Sequence, residues 1–168
     1  IAQRSEVLGE QGTGSEEYLV TLLRYFEEEI MGEAYFYGLA EQFDKSHERE
    51  KLSLLAQVER RAAEAVRPLL EKHGLAPRAD SELKPIGEAW IEQRRFANWD
   101  ALMTDMSVRY RVYVDDFEAL EAIAPGEDRQ ALNVLTEHEV VTIEFAEMEV
   151  AGDPDSLAPI RRYLAAGS

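Results

Sequence analysis

Apolar residues recur every three to four positions over four long stretches of the chain, the spacing that repeats one face of an α-helix. Leu19, Leu22, Leu23, Phe26, Ile30, Ala34, Tyr37 and Ala40 follow Ser15, a residue suited to an N-cap, with Glu16 and Glu17 in the first turn where the helix dipole favours acids. The first helix is therefore predicted from Ser15 to about Phe43, after a polar, aperiodic tail at 1–14. A second runs from about Lys45 to His73, with Leu52, Leu55, Val66 and Leu70 on one stripe and Gly74 as its stop signal. Pro68 lies inside it and lacks a backbone donor, which predicts a bend near Glu64. The third starts near Asn98, carries Trp99, Met103, Met106, Tyr110, Tyr113, Phe117 and Leu120 inward, and ends at Pro125-Gly126. The fourth covers about Glu127 to Ala151 on Leu132, Leu135, Val141, Ile143, Phe145 and Ala146, and Gly152-Asp153-Pro154 stops it. Short accessory helices are predicted at 86–94, where Trp90 and Ile91 could pack as a lid, and at 156–165. Helices of this length bury their stripes by packing on one another, so the expected fold is one all-α domain, an antiparallel four-helix bundle over 15–168.

Composition narrows the chemistry. Zero Cys among 168 residues removes disulfides, thiolate metal sites and cysteine nucleophiles, leaving His and carboxylates as the strong ligands. The 34 acids against 18 bases give a net charge of −16, a field that repels phosphate backbones and anionic lipid, so neither nucleic acid nor a membrane surface is expected as a partner. No apolar run approaches the ~20 residues needed to span a bilayer. The chain reads as soluble and cytoplasmic.

Charges on the apolar stripes carry most of the functional information, because an amphipathic helix ordinarily turns its charges to water. Glu33 falls between Leu22 and Phe26 on the first helix, with Glu29 at the edge of that face. Glu59 lies at the centre of the second stripe, and His138 and Glu139 both fall within the wide apolar arc of the fourth helix. Glu29, Glu59 and Glu139 each sit near the midpoint of their helices, so antiparallel packing brings them to one level. Three unpaired buried carboxylates would cost several kcal/mol unless they hold a cation, share protons or meet a buried base. Plainer readings exist for their neighbours: Glu33 could pair at a helix interface, His138 could be a core histidine bonded to a carbonyl or carboxylate, and Tyr110 and Tyr113 could be core aromatics.

Glu29-Ile30 followed by Phe36 and Leu39-Ala40-Glu41, together with Leu55-Ala56-Gln57-Val58-Glu59-Arg60-Arg61, resembles the ferritin-like superfamily, especially rubrerythrin-related proteins and the cyanobacterial aldehyde-deformylating oxygenases. The resemblance implies a ferritin-like four-helix bundle whose long crossover, here 74–97, joins helices two and three. It carries Glu29 and Glu59 over as metal ligands, and Glu139 after them. A complete diiron site takes one Glu from each of two helices and a Glu-x-x-His from each of the other two. Here Ala62 and Thr142 stand three residues after Glu59 and Glu139, and Tyr110 stands where the second single Glu belongs. His138 is one residue away from its place, a shift that turns a side chain by about 100°.

Two functions follow. The first is a bundle with an incomplete diiron-carboxylate site that binds a small molecule or a weakly held cation. The second is a metal-dependent oxidoreductase built on Glu29, Glu33, Glu59, His138 and Glu139, a donor set that would suit iron, manganese or magnesium. In either case Tyr110 and Tyr113 would face the ligand, with the Tyr110 hydroxyl directed at a mid-level carboxylate, and without metal one of those carboxyls would be protonated near neutral pH. A structural bundle that forms a homodimer through aromatic faces is the third reading.

Overall fold

The computed structural model describes residues 14–167, which are all-helical and contain no strand. Helix α1 spans Gly14–Ala40, α2 Ser46–Lys72, α3 Asp80–Gln93, α4 Trp99–Arg109, α5 Arg111–Ile123, α6 Arg129–Val150 and α7 Ala158–Ala165, with a 3₁₀ turn at Gly126–Asp128 leading into α6. No helix among the described residues is long and apolar enough to cross a membrane.

Helix ends follow residue chemistry. Gly74 and Gly152 have φ of 68° and 70°, the left-handed conformation that favours glycine, and each follows the last turn of a long helix. The Leu75 N–H donates to the Leu70 carbonyl at 2.8 Å and the Asp153 N–H to that of Met148 at 2.9 Å, so both ends satisfy carbonyls that would otherwise be orphaned. Helix α1 stops earlier than the periodicity predicts, because Glu41 and Gln42 already bond three residues back and tighten the chain into a turn. It also begins one residue before Ser15, so Gly14 belongs to the helix; the rest of the predicted tail lies outside the described residues. Helix α2 continues through Pro68 as a single element.

Two expectations need correction. The accessory helix in the crossover is α3, which starts at Asp80, well before 86: the Glu82 carboxylate accepts the Ala79 N–H at 2.9 Å and secures the first turn, and Pro85 sits inside the helix without ending it. Its Gly87 lies directly on α1, where a Cβ would come within 2.0 Å of the Met31 carbonyl oxygen, so only glycine permits this approach. The predicted third helix is two helices, α4 and α5, interrupted at Tyr110; the Tyr113 N–H bonds the Tyr110 carbonyl at 3.0 Å, a three-residue closure in place of the α-helical one.

Direction follows from the cross-helix pairs. Tyr18 meets His73 and Glu33 meets Arg60, so α1 and α2 are antiparallel. Lys51 reaches Glu149 while Lys72 reaches Asp128, making α2 and α6 antiparallel as well. Thr136 bonds Glu121 and the Phe117 ring packs on His138, which sets α5 antiparallel to α6. Helices α2 and α5 consequently run the same way, and the connection carrying α3 along α1 returns the chain between them. The apolar core falls into two blocks. One gathers Phe36, Leu52, Leu55, Met103, Met106 and Phe145, the other Leu22, Phe26, Val66, Leu70, Leu83 and Leu132. Glu29, Glu59 and His138 are positioned along α1, α2 and α6 between these two blocks, as a polar layer within the core.

Candidate metal centre

Three helices supply the layer. Helix α1 brings Glu29, α2 brings Glu59, and α6 brings His138 and Glu139, with exposures of 5%, 4%, 0% and 5%. Gly32 creates room on α1, since a Cβ there would stand 3.0 Å from the Glu59 carboxylate carbon. The His138 Nδ1–H donates to the Leu135 carbonyl one turn back, which fixes the ring and aims Nε2 into the layer. That nitrogen lies 2.9 Å from Glu29 Oε2, 3.1 Å from Glu139 Oε2 and 3.3 Å from Glu59 Oε2. Yet neither His138 Nε2 nor Glu29 Oε2 makes a hydrogen bond: the oxygens surround the nitrogen from the side, and none lies in line with it. Glu29, Glu59 and His138 each offer one donor atom, and the three fall within 4.8 Å of one another.

Burial and charge divide the protons unequally. Burial and the neighbouring Glu59 charge hold the Glu29 carboxyl well above the usual carboxylate range, a rise that His138 only partly offsets. Burial also acts to raise Glu59, but a hydrogen bond from Glu29 and the His138 charge reverse it, so Glu59 falls below its ordinary value. For His138 burial favours the neutral ring, and the Glu29 and Glu59 charges more than overcome this, holding its pKa well above that of a free imidazole. In metal-free protein these opposed shifts favour protonated Glu29 and His138 and ionised Glu59, three groups that titrate as one unit. Glu28 borders the same space; burial pushes its carboxyl up to about 7 against the opposing charge of Arg24.

Glu33 is not part of this gathering. Its carboxylate turns to the Arg60 guanidinium, with Nε at 2.6 Å and Nη2 at 2.8 Å, and forms an interhelical ion pair. Tyr113 lines a cavity of about 30 Å³ together with Glu28, Glu29, Gly32, Glu59, Phe117 and Glu139. Tyr110 is buried with its ring 5.5 Å from that of Tyr113, but it donates no hydrogen bond to a carboxylate among the described residues, contrary to expectation. Burial first, then Tyr35, Glu139 and Glu59, keep its hydroxyl protonated.

His138 joins the site despite its one-residue offset, because the layer is approached from both sides: positions 138 and 139 diverge around α6, and Glu29 and Glu59 close the gap from α1 and α2. Glu28 and Gly32 escape a periodicity argument. Glu28 lies outside the stripe, and a glycine becomes meaningful only once the side chain filling its space is known. No protein-family model, curated protein or solved structure matches the chain.

Proposed function

We propose that this chain is a ferritin-like four-helix bundle whose polar layer holds a single divalent transition-metal ion through Glu29, Glu59 and His138, with Glu139 beside them, in place of a diiron centre. One observation carries the reading: the His138 Nε2 atom, fully buried and oriented by Leu135, is ringed by three carboxylate oxygens at 2.9–3.3 Å with none along its axis. Donor atoms that share an ion through bonds of ~2.1 Å at right angles stand about 3 Å apart, the separation between His138 Nε2 and the Glu29 and Glu59 oxygens. A proton on Nε2 alone would be better served by one linear bond.

The helix order supports the ferritin-like assignment, since the crossover joins α2 to helices that run in the same direction. The donor count argues against two ions: α4 and α5 contribute no carboxylate or imidazole to the layer, and only one imidazole is present. One imidazole with two carboxylates, and a third beside them, suits manganese(II) or iron(II) over softer metals. When bound, such an ion would supply a Lewis-acidic centre with several anionic ligands. The cavity of about 30 Å³ beside it holds a water-sized molecule and leaves no room for an organic substrate, which favours a cation-binding bundle over a metal-dependent oxidoreductase acting on organic molecules.

The test is metal titration of chelator-stripped protein with manganese(II) and, anaerobically, iron(II), followed by calorimetry and elemental analysis. About one equivalent per chain is expected, with uptake lost in Glu59→Gln and His138→Gln. Two equivalents would establish a dinuclear centre, and no uptake would leave a metal-free buried ion cluster.

A further inference from the structure

We infer that the end of the molecule where the α1–α2 turn meets the α3–α4 loop is a second binding site, for an organic ammonium ion carrying an apolar or aromatic body. The inference is independent of the metal centre. A cavity of about 620 Å³ opens here, within the range of pockets that hold small organic ligands, whereas the mid-level cavity holds only a water. Its walls pair an apolar floor, Leu39 and Ile91, with the aromatic rings of Phe43, Phe96 and Trp99. Phe43 and Trp99 pack edge to face at 5.5 Å, and the Trp99 indole N–H is already committed to Glu149 at 2.8 Å, so the ring is fixed by its polar edge.

The decisive group is Glu48, which lines this cavity, is only 6% exposed, and has no hydrogen-bond or ion-pair partner among the described residues. A glutamate three residues into a helix commonly folds back onto the N-cap N–H, but Lys45, the N-cap of α2, receives no side-chain hydrogen bond. A carboxylate set in the wall of a cavity with no protein partner is free to accept from a cationic ligand, a charge-assisted bond stronger than a neutral one.

The other charges at the rim point to the same sign. Arg94 is paired with Asp105, Arg95 with Glu92, and Glu149 with Lys51, which leaves Asp44, Glu48 and Asp100 against Lys45 and His47. An anionic ligand would have to displace existing ion pairs and would face this acidic excess. An ammonium ion can donate to Glu48 while its apolar body rests on Phe43 and Trp99.

Three probes of one shape decide the matter: phenethylammonium, phenylacetate and 2-phenylethanol, titrated into the intact protein by calorimetry and followed by tryptophan fluorescence. Phenethylammonium should bind saturably, and the anion and the alcohol should be weaker by about tenfold or more. Glu48→Gln should weaken phenethylammonium by about tenfold or more while leaving the helical signal and melting temperature near those of the parent. Trp99→Phe retains an aromatic wall, so it should still bind while losing the fluorescence change, leaving Trp90 as a silent reporter. Phenylacetate binding as tightly as phenethylammonium, an unchanged affinity in Glu48→Gln, or no saturable binding of the ammonium would each overturn the proposal. The comparison of the three probes on the parent protein decides it even if Glu48→Gln fails to fold.

Discussion

Asp128 at one end of the molecule and the Glu29–Glu59–Glu139 group at its middle are all buried carboxylates, yet their surroundings are opposite. Asp128 accepts from the Tyr18 hydroxyl at 2.6 Å and from the Lys72 ammonium at 2.6 Å, and meets His73 Nε2 at 2.7 Å. Burial alone would raise its pKa, but these three partners bring it down to about 2. One acid is served there by three donors. In the middle layer three acids share one imidazole, and two of the atoms involved make no hydrogen bond. The same residue types thus build a clamp in one place and a candidate ligand set in the other, and what separates them is the balance of donors to acceptors.

Removing Asp128 tests the clamp and should have the largest effect on folding. Asp128→Ala strands the Tyr18 hydroxyl, unpairs His73 and leaves Lys72 with Glu127 alone, a loss of about 2–3 kcal/mol for hydrogen bonds to a charged group. In a chain of this size that lowers the melting temperature by about 5–10 °C, with metal uptake unchanged. The acid limb sharpens the comparison. Because the folded pKa of Asp128, about 2, lies below its ordinary value of 3.8, its contribution is present above that ordinary value and disappears as pH falls towards the folded one, an amount of about 2 kcal/mol. Acid melts between these limits should be steeper for the parent than for Asp128→Ala, and coincident curves would mean that the clamp adds nothing.

The sequence made the clamp almost invisible while exposing the middle layer, and the reason is geometric. Glu29, Glu59, His138 and Glu139 lie near the midpoints of long helices, where a period of 3.6 residues fixes both face and height, so counting along the chain sufficed. Asp128 occupies a 3₁₀ turn, and its partners come from the first turn of α1 and the last of α2, where helical phase no longer constrains direction. Similar limits produced the errors in the fold. The start of α3 depends on the Glu82 side chain reaching Ala79, and the break at Tyr110 occurs without Pro or Gly to announce it. Glu33 shared the inward stripe by phase but was captured by Arg60 of the next helix, a contact that no single-helix projection contains.

A smaller change should disturb the middle without touching the end. Gly32→Ala places a methyl 3.0 Å from the Glu59 carboxylate carbon and 3.1 Å from Oε2, tighter than ordinary contact, so the carboxylate must move. Metal affinity should fall by about tenfold, the scale on which groups that position ligands act, while stability changes by about 1 kcal/mol. Calorimetric titration of the variant measures the first and thermal melting the second. Undiminished affinity would show that Glu59 is not held in place by the space at Gly32.

The subtlest effect concerns the proton in the metal-free layer. Glu29 has a folded pKa above its ordinary value, so it stabilises the fold fully below its unfolded pKa and loses that contribution as pH rises through the folded one. Glu59 is shifted the opposite way and supplies the charge that balances the His138 imidazolium. In chelator-treated protein at pH 8, Glu29→Gln makes permanent the neutrality that Glu29 otherwise reaches by binding a proton, and the melting temperature should hold or rise slightly. Glu59→Gln removes the balancing charge and should lower it. The advantage of Glu29→Gln should shrink as pH falls towards 4, where Glu29 is protonated in the unfolded chain as well. Melts of both variants across this range decide the assignment, and Glu29→Gln proving the more damaging of the two at pH 8 would place the proton on Glu59.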